Sequence, residues 1–541
     1  MADLSAITAL VIEAHPNMRT QLRNMLAEVG IQKVQFAVSA GAAVRKLREA
    51  VFDLILCEYH LGEGQDGQHL LEDLRHNRVI PLRTLFIMVT GERQYEKVVS
   101  AAELAPNDYV LKPFAADTLY ARISRAVLKR SAFLPIYELI EKDDTPAAIR
   151  ACAEAENQFP QYLIDFLRLR AELHVAAGEA DEAEAIYAQV LEMRAVPWAR
   201  LGLAKALFLK QQYDKAEALL EGLVDENENF LDAYDWLART REAAGELERA
   251  RDVLLRARVV SPHRLGRLRR LGGIALDMGD ARTAESVLSE VVRKAKYSDF
   301  RNPEDHVFLV QAQIGNGNIE AAASTLRDLD KSMGGTERGR LCSALSSAML
   351  HRQVGDGDKA RSALGVALQE SQRLGRTSTA IKQELARACF DNGMEAAGKE
   401  VVLDILRTAE TPRAAEKTQQ MLVQRGHGEL ARDLQTQVHE EVRNLVATGA
   451  EKAKAGDFDG AVAEMLSAVV KMPNNTHVLF NAALALLRHI EHRGWNEKFS
   501  VQARSLIERV RRIDPANARL PALSDLHRKL QVKFGISDLA P

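Results

Sequence analysis

The run FDLILCEYHLGEGQDG, Phe52 to Gly67, holds an apolar segment that ends on an acid, Glu58, and leads into an Asp-Gly turn. A short apolar run closed by a turn reads as a buried strand, so Glu58 is a carboxylate delivered to one edge of a sheet. Three other patterns carry chemistry in other settings. GMEAAGKE, Gly393 to Glu400, matches GxxxxGK, but Glu400 stands where a phosphate-binding loop needs Ser or Thr, and no strand precedes it. HIEH, His489 to His492, sets two imidazoles at i and i+3 with no third ligand and reads as a solvated helix face rather than a metal site. The run RARVVSPHRLGRLRR, Arg256 to Arg270, has the charge to meet an acidic partner or RNA. It has no interleaved aromatics, and a chain that is 5% aromatic offers few rings on which bases could stack. Glu58 is therefore the residue around which a chemical reading is built.

The 541 residues exceed what a single core usually organises, which implies several domains or an elongated array. Lys plus Arg number 72 against 75 Asp plus Glu, so no global field draws the chain to nucleic acid or to an anionic membrane. Cys57, Cys152, Cys342 and Cys389 are far apart, form no CxxC and lie in apolar contexts, as reduced core thiols do. The early run AITALVI meets Glu13 too soon for a signal sequence, and no apolar run approaches the ~20 residues of a membrane span. The expectation is a soluble, cytoplasmic protein.

Two textures divide the chain. Up to about residue 130, short apolar runs (ALVIE, VQFAV, LILCE, TLFIMVT, DYVL) alternate with amphipathic stretches at Asn17–Glu28, Ala40–Glu49, Gly67–Asn77, Glu92–Leu104 and Ala115–Lys129. Five such units predict an α/β domain: a parallel sheet with helices on both faces and functional groups at the carboxyl ends of the strands. From residue 131 to 520 the chain is Ala-, Leu- and Arg-rich helix broken by Gly turns. A small residue recurs after the turns at Ala183, Ala216, Ala250 and Ala284, and then less evenly at Ala322, Ala360, Ala431 and Ala461. Pro160, Pro262, Pro473 and Pro515 lie twelve residues after Ala148, Ala250, Ala461 and Ala503, where proline would close the second helix of a pair. Ala171, Ala204, Ala238 and Gly272 leave room for paired helices to approach. A period near 34 predicts stacked helical hairpins, ten or eleven of them, degenerate at Lys294–Asp305 and Asn392–Glu410. Residues 521–541 are expected to be a tail.

Taken together, these features resemble two families. Residues 1–130 resemble the receiver domain of two-component response regulators, a flavodoxin-like doubly wound fold. In that family two acids follow the first strand, an Asp ends the third, Thr or Ser ends the fourth, and Lys-Pro follows the fifth. Here those positions read Glu13 and Ala14, Glu58, Thr90, and Lys112 with Pro113, and Tyr109 stands where the family keeps an aromatic that swings inward on activation. Residues 131–520 resemble a tetratricopeptide array, an all-α superhelical solenoid in which each hairpin must stack on its neighbours to bury its apolar face.

The departures from the receiver pattern bear on function. The family transfers a phosphoryl group to the Asp with Mg²⁺ held by carboxylate oxygens. Ala14 removes a ligand, so Mg²⁺ binding is expected to be weak or lost and no cofactor is expected. The longer side chain of Glu58 moves its carboxylate outward by roughly 1.5 Å, and a misplacement of about 1 Å can cost on the order of 100-fold in rate. The displaced carboxylate would come within reach of Lys112 and Thr90. Glu58 then imitates the phosphorylated state; the alternatives are a decayed, inert site or a retained phosphorylation reaction. In the array, the resemblance implies that first helices line a concave face, presenting Trp198, Leu201, Lys205 and Phe208, then Asp235, Arg239 and Glu242, then Arg269. The competing reading has Trp198 packed on a neighbouring repeat. The expected function is a non-enzymatic signalling adaptor that binds a protein partner, with a homodimer through Glu92–Leu104 and Ala115–Lys129. Its rivals are a phosphorylation-dependent regulator and an RNA-binding solenoid. No polar linker separates the textures: Leu119, Ile123, Val127, Phe133, Ile136 and Leu139 keep helical spacing across residue 130, so the first domain is expected to dock on the array and cap it.

Overall fold

The computed structural model describes residues 4–62, 66–91, 106–261, 264–296, 301–409, 411–515 and 517–536. Pro262 and the Glu92–Leu104 stretch lie outside these residues. Five strands, β1 (Thr8–Ile12), β2 (Lys33–Ala37), β3 (Leu54–Glu58), β4 (Leu85–Thr90) and β5 (Asp108–Leu111), form one parallel sheet in the order β2-β1-β3-β4-β5. That is the order of a flavodoxin-like doubly wound sheet. β3 and β4 are buried along their whole length, as central parallel strands covered on both faces must be, which is why LILCE and LFIMVT read as unbroken apolar runs. Ile12 aligns with Cys57, Glu58 with Val89 and Thr90 with Leu111. The register therefore brings the ends of β1, β3, β4 and β5 to one edge. The helices α1 (Pro16–Glu28), α2 (Ala40–Glu49) and α3 (Gly67–His76) follow the first three strands. Ser39 caps α2 by accepting from the Ala42 N–H.

After β5, α4 runs unbroken from Ala116 to Glu141 with Pro135 inside it. Its first half buries Leu119, Ile123 and Ala126 against the sheet. Its second half buries Ala132, Phe133 and Ile136 with the next helix, Thr145–Gln158, and Phe133 stacks on Phe166 with ring centroids 4.1 Å apart. The boundary expected at residue 130 thus falls inside one helix that belongs to both textures. Apolar spacing that continues through the junction has no physical reason to break.

The array continues as pairs of antiparallel helices. Examples are Leu163–Ala177 with Ala180–Met193, Pro197–Leu209 with Tyr213–Glu226, Leu231–Ala243 with Leu247–Val260, and Leu265–Asp277 with Ala281–Ala295. The post-turn residues Ala183, Ala216, Ala250, Ala284, Ala322, Ala360, Ala431 and Ala461 are all buried. A Cβ on Gly272 would fall 2.6 Å from Leu288, and one on Gly202 would fall 2.2 Å from the Tyr187 ring, so close approach excludes any side chain there.

Three stretches depart from an even repeat. The Asn392–Glu410 stretch expected to be degenerate contains a helix, Glu395–Thr408, with Gly398 packed against the Phe390 ring in place of an alanine. Gly428–Lys454 is a single 27-residue helix, longer than one hairpin arm, which explains the uneven spacing near Ala431. The expected tail begins as a helix, Leu520–Lys533, that buries Leu520, Leu523 and Leu530. The chain divides into two compact units, Met1–Val175 with Ala180–Ala312, and Ala176–Glu179 with Gln313–Pro541. The site below lies wholly in the first. Among the described residues, no helix is long and apolar enough to cross a membrane.

Candidate functional site

The strand ends converge on one ammonium group. Glu13 follows β1, is held by its N–H donating to Ala37 O at 3.0 Å, and is 1% exposed. Its Oε1 accepts from the His15 N–H at 2.9 Å and its Oε2 meets Lys112 Nζ at 3.0 Å. Glu58, at the tip of β3, is 8% exposed. Its Oε1 accepts from the N–H groups of Tyr59 at 2.7 Å and His60 at 3.2 Å, and its Oε2 is ion-paired with Lys112 Nζ. Lys112 follows β5 and is positioned by its N–H donating to Thr90 O at 2.8 Å. Gly67 opens α3 where a Cβ would strike Glu58 O at 2.6 Å, so the turn after β3 can return this close only with glycine.

One cation thus serves two buried carboxylates. Burial alone would pull the Lys112 pKa down, but hydrogen bonds and charge from Glu58 and Glu13 outweigh it and hold the ammonium above its ordinary value. Burial, and then the charges of Glu58, Asp66 and Glu13, push the Cys57 thiol well up, which leaves it inert. Ala14 can offer a cation only its carbonyl, and that oxygen accepts from Arg19 Nη1 at 2.6 Å. Each carboxylate has one oxygen on Lys112 and the other on backbone N–H groups. A hard divalent cation takes six or more oxygens; this donor set is small and already engaged, and it does not fit one. Among the described residues, no group of three His, Cys, Asp or Glu is arranged to hold a metal.

Of the residues singled out in the sequence, Glu13, Glu58 and Lys112 are in direct contact, and Ala14 and Thr90 share their edge, Thr90 fully buried. Tyr109 is half-buried beside the cluster that includes Ile55, Cys57 and Met88, with the Arg122 guanidinium 6.0 Å from its ring.

The array residues expected on an open face are largely packed. Leu201 and Lys205 are only 4% and 7% exposed. Trp198 is half-buried, edge-on to Tyr187 at 6.4 Å and under Arg168 at 5.2 Å, the packed alternative. Phe208 lies against Trp236 at 5.6 Å. Arg239 is exposed and covers Trp236 at 4.4 Å. Asp235 pairs with Arg264 at 2.9 Å and Arg267 at 2.7 Å, Glu242 with Arg270 at 3.7 Å, and Arg269 with Asp305 at 2.7 Å. The physical reason is that a first helix is flanked by neighbouring hairpins on two sides, so less of it is free than an isolated hairpin suggests. Sequence reasoning missed Asp232, Trp236, Arg264 and Arg267. A signal existed, because Asp232 and Asp235 lie 32 residues before Arg264 and Arg267, about one repeat period. His489 is occupied by Asp459 at 2.8 Å, and His492 stacks on Phe458.

Comparison with known proteins agrees with this geometry. Residues 9–124 match the response regulator receiver domain family, and residues 174–235 match the tetratricopeptide repeat family. The amino-terminal domain is a receiver, followed by tetratricopeptide repeats. The receiver is similar to the chemotaxis protein CheY-3 of Vibrio cholerae, at 27% identity over 116 residues, covering 21% of this chain and 88% of that protein. It is also similar to the phosphate regulon transcriptional regulatory protein PhoB of Klebsiella pneumoniae, at 34% identity over 134 residues, covering 24% of this chain and 56% of that protein. A tetratricopeptide repeat protein from Parabacteroides merdae aligns over 47% of this chain and 96% of its own, at 13% identity and a TM-score of 0.32. With a receiver and repeats in one chain, this is a signalling protein with a protein-interaction region.

Proposed function

We propose that the chain is a non-enzymatic signalling adaptor whose receiver holds Glu58 in place of a phosphorylated side chain, and whose array binds a protein partner. The observation that carries this reading is the ion pair of Glu58 with Lys112. The carboxylate oxygen that would attack a phosphodonor is already bound to the cation that would otherwise meet the phosphoryl group. The absence of an acidic side chain at position 14 and the engagement of the Ala14 carbonyl by Arg19 add to it, since the transfer needs a metal to neutralise charge. Mg²⁺ binding is therefore weak or lost. Incubation with acetyl phosphate and Mg²⁺ is expected to leave the intact mass unchanged. A gain of about 80 Da, the mass of one phosphoryl group, that disappears in Glu58→Gln would replace this reading with a phosphorylation-dependent switch. The RNA-binding alternative loses support because the basic run spends its charge internally: Arg258 on Glu290, Arg264 on Asp232 and Asp235, and Arg269 on Asp305.

A further inference from the structure

The outer face of α3 is acidic, and the sequence assigned it no role. Leu70, Leu71 and Leu74 bury one side of the helix against the sheet, which turns Glu72 and Asp73 toward the other. Glu72 does not end in solvent: its Oε2 lies 3.4 Å from Arg264 Nε, at the start of the array helix Leu265–Asp277, with both side chains less than a third exposed. The same guanidinium meets Asp232 at 3.0 Å and Asp235 at 2.9 Å on the preceding first helix, Leu231–Ala243. Asp73 is near enough to add its charge to Arg269, one turn further along. These contacts are separate from the α4 junction. At the junction, Lys129 reaches Asp165 on Leu163–Ala177 at 2.7 Å, and Arg83 reaches Glu141 at 3.1 Å.

The receiver is therefore tied to the array at two places far apart in sequence: through α4 to Thr145–Gln158 and Leu163–Ala177, and through α3 to the start of Leu265–Asp277. In both places the array contributes a first helix. We infer that the receiver is itself a ligand of the array's first helices at Leu163–Ala177 and Leu265–Asp277, latched there by Glu72 on Arg264, so that a partner using these helices must displace it. The inference rests on the proposed adaptor reading only for that last consequence; the latch stands whether or not Glu58 imitates phosphate. The pair is the release point because, at 3.4 Å, it is longer than the contacts Arg264 makes within the array, 3.0 Å to Asp232 and 2.9 Å to Asp235. The array's own Arg264–Asp232 and Arg264–Asp235 contacts keep Arg264 in place when Glu72 leaves.

The test uses the full chain. In Arg264→Lys, which keeps the charge and supplies an amine, carbodiimide is expected to join Lys at 264 to Glu72, in a yield independent of protein concentration and abolished by Glu72→Gln. In a second variant, Glu72→Arg with Asp73→Arg, X-ray scattering is expected to show a larger radius of gyration, with helix content and melting temperature as in the wild type. The acetyl phosphate result is unaffected by either variant, so the latch and the Glu58 reading fail separately. No cross-link at 264, or scattering identical to the wild type in the doubly reversed variant, overturns the inference.

Discussion

Lys112→Met removes the one cation shared by Glu13 and Glu58 and keeps most of the apolar stem. Lys112 is 19% exposed at its side chain, Glu13 1% and Glu58 9%, so water cannot replace the ammonium without opening the site. Removing one partner of a buried pair costs about 3–5 kcal/mol, because the remaining charge is left uncompensated. Here two charges remain, but N–H groups of His15, Tyr59 and His60 still donate to them, which keeps the expected loss within that range. Glu58→Gln leaves the Lys112–Glu13 pair intact and should cost about 1–3 kcal/mol, as for one unsatisfied buried group. All three tryptophans, Trp198, Trp236 and Trp495, lie in the array, and a chain of several units need not unfold in one step. Receiver stability is therefore best read by native-state hydrogen exchange of the β3 and β4 amides. A Lys112→Met protein within about 1 kcal/mol of wild type would show that Lys112 does not neutralise these carboxylates. The imitation reading would fall with it.

Gly202→Ala places a methyl group against the Tyr187 ring; it should destabilise the array by about 1–3 kcal/mol, seen as a lower urea midpoint by tryptophan fluorescence. His527 accepts or donates at Ser500 Oγ, 2.9 Å away, and burial, then Arg504, hold it below its ordinary value against the opposing charge of Glu497. A histidine so lowered contributes its full stability above about pH 6.5 and loses it as the pH falls below, so protection of the Leu520–Lys533 amides, relative to their intrinsic exchange rates at each pH, should fall from pH 7 to pH 5 and should not fall in His527→Gln. If Glu58 imitates phosphate, the receiver should pair without a phosphodonor, so light scattering at micromolar concentration should give a homodimer; a monomer mass would remove that expectation.

The strands were legible because each apolar run is bounded by a turn and ends on a polar residue, and β3 and β4 begin and end within a residue of where LILCE and TLFIMVT place them. The contact of Glu58 with Lys112 was also legible, from side-chain length and strand-end position. Residue-level detail of the array was not. Leu201 and Lys205 look like surface residues on a helical wheel, yet burial there depends on the neighbouring hairpin, which the wheel omits. Gly398 stood in for alanine at the post-turn position and hid a repeat. Leu520, Leu523 and Leu530 have helical spacing, but no turn-alanine pair follows them, so the last helix passed for a tail.

A change at Glu58 has a short physical route to the array. β3 runs from Asp53, just before its start, to Glu58 at its tip, about 16 Å at 3.3 Å per residue. Asp53 is bound by Thr8 and by Arg130 of α4 at 3.3 Å, so the two ends of one strand meet the site and the junction helix. A buried strand in the middle of a sheet is a poor moving part, since its hydrogen bonds and packing on both faces allow it no second arrangement. α3 is better placed. Its first residue, Gly67, abuts the Glu58 carbonyl; Glu72, midway along, meets Arg264; and Arg75, near its end, donates to Thr84 O at 2.7 Å beside Tyr137 of α4. Burial pulls Arg75 down to about 10 and pushes Tyr137 up to about 12, each opposed by the charge of the other. Coupling requires an element with two arrangements that both sites bias. α3 meets the site through Gly67 and the latch through Glu72, which makes it the element on which the proposed coupling turns.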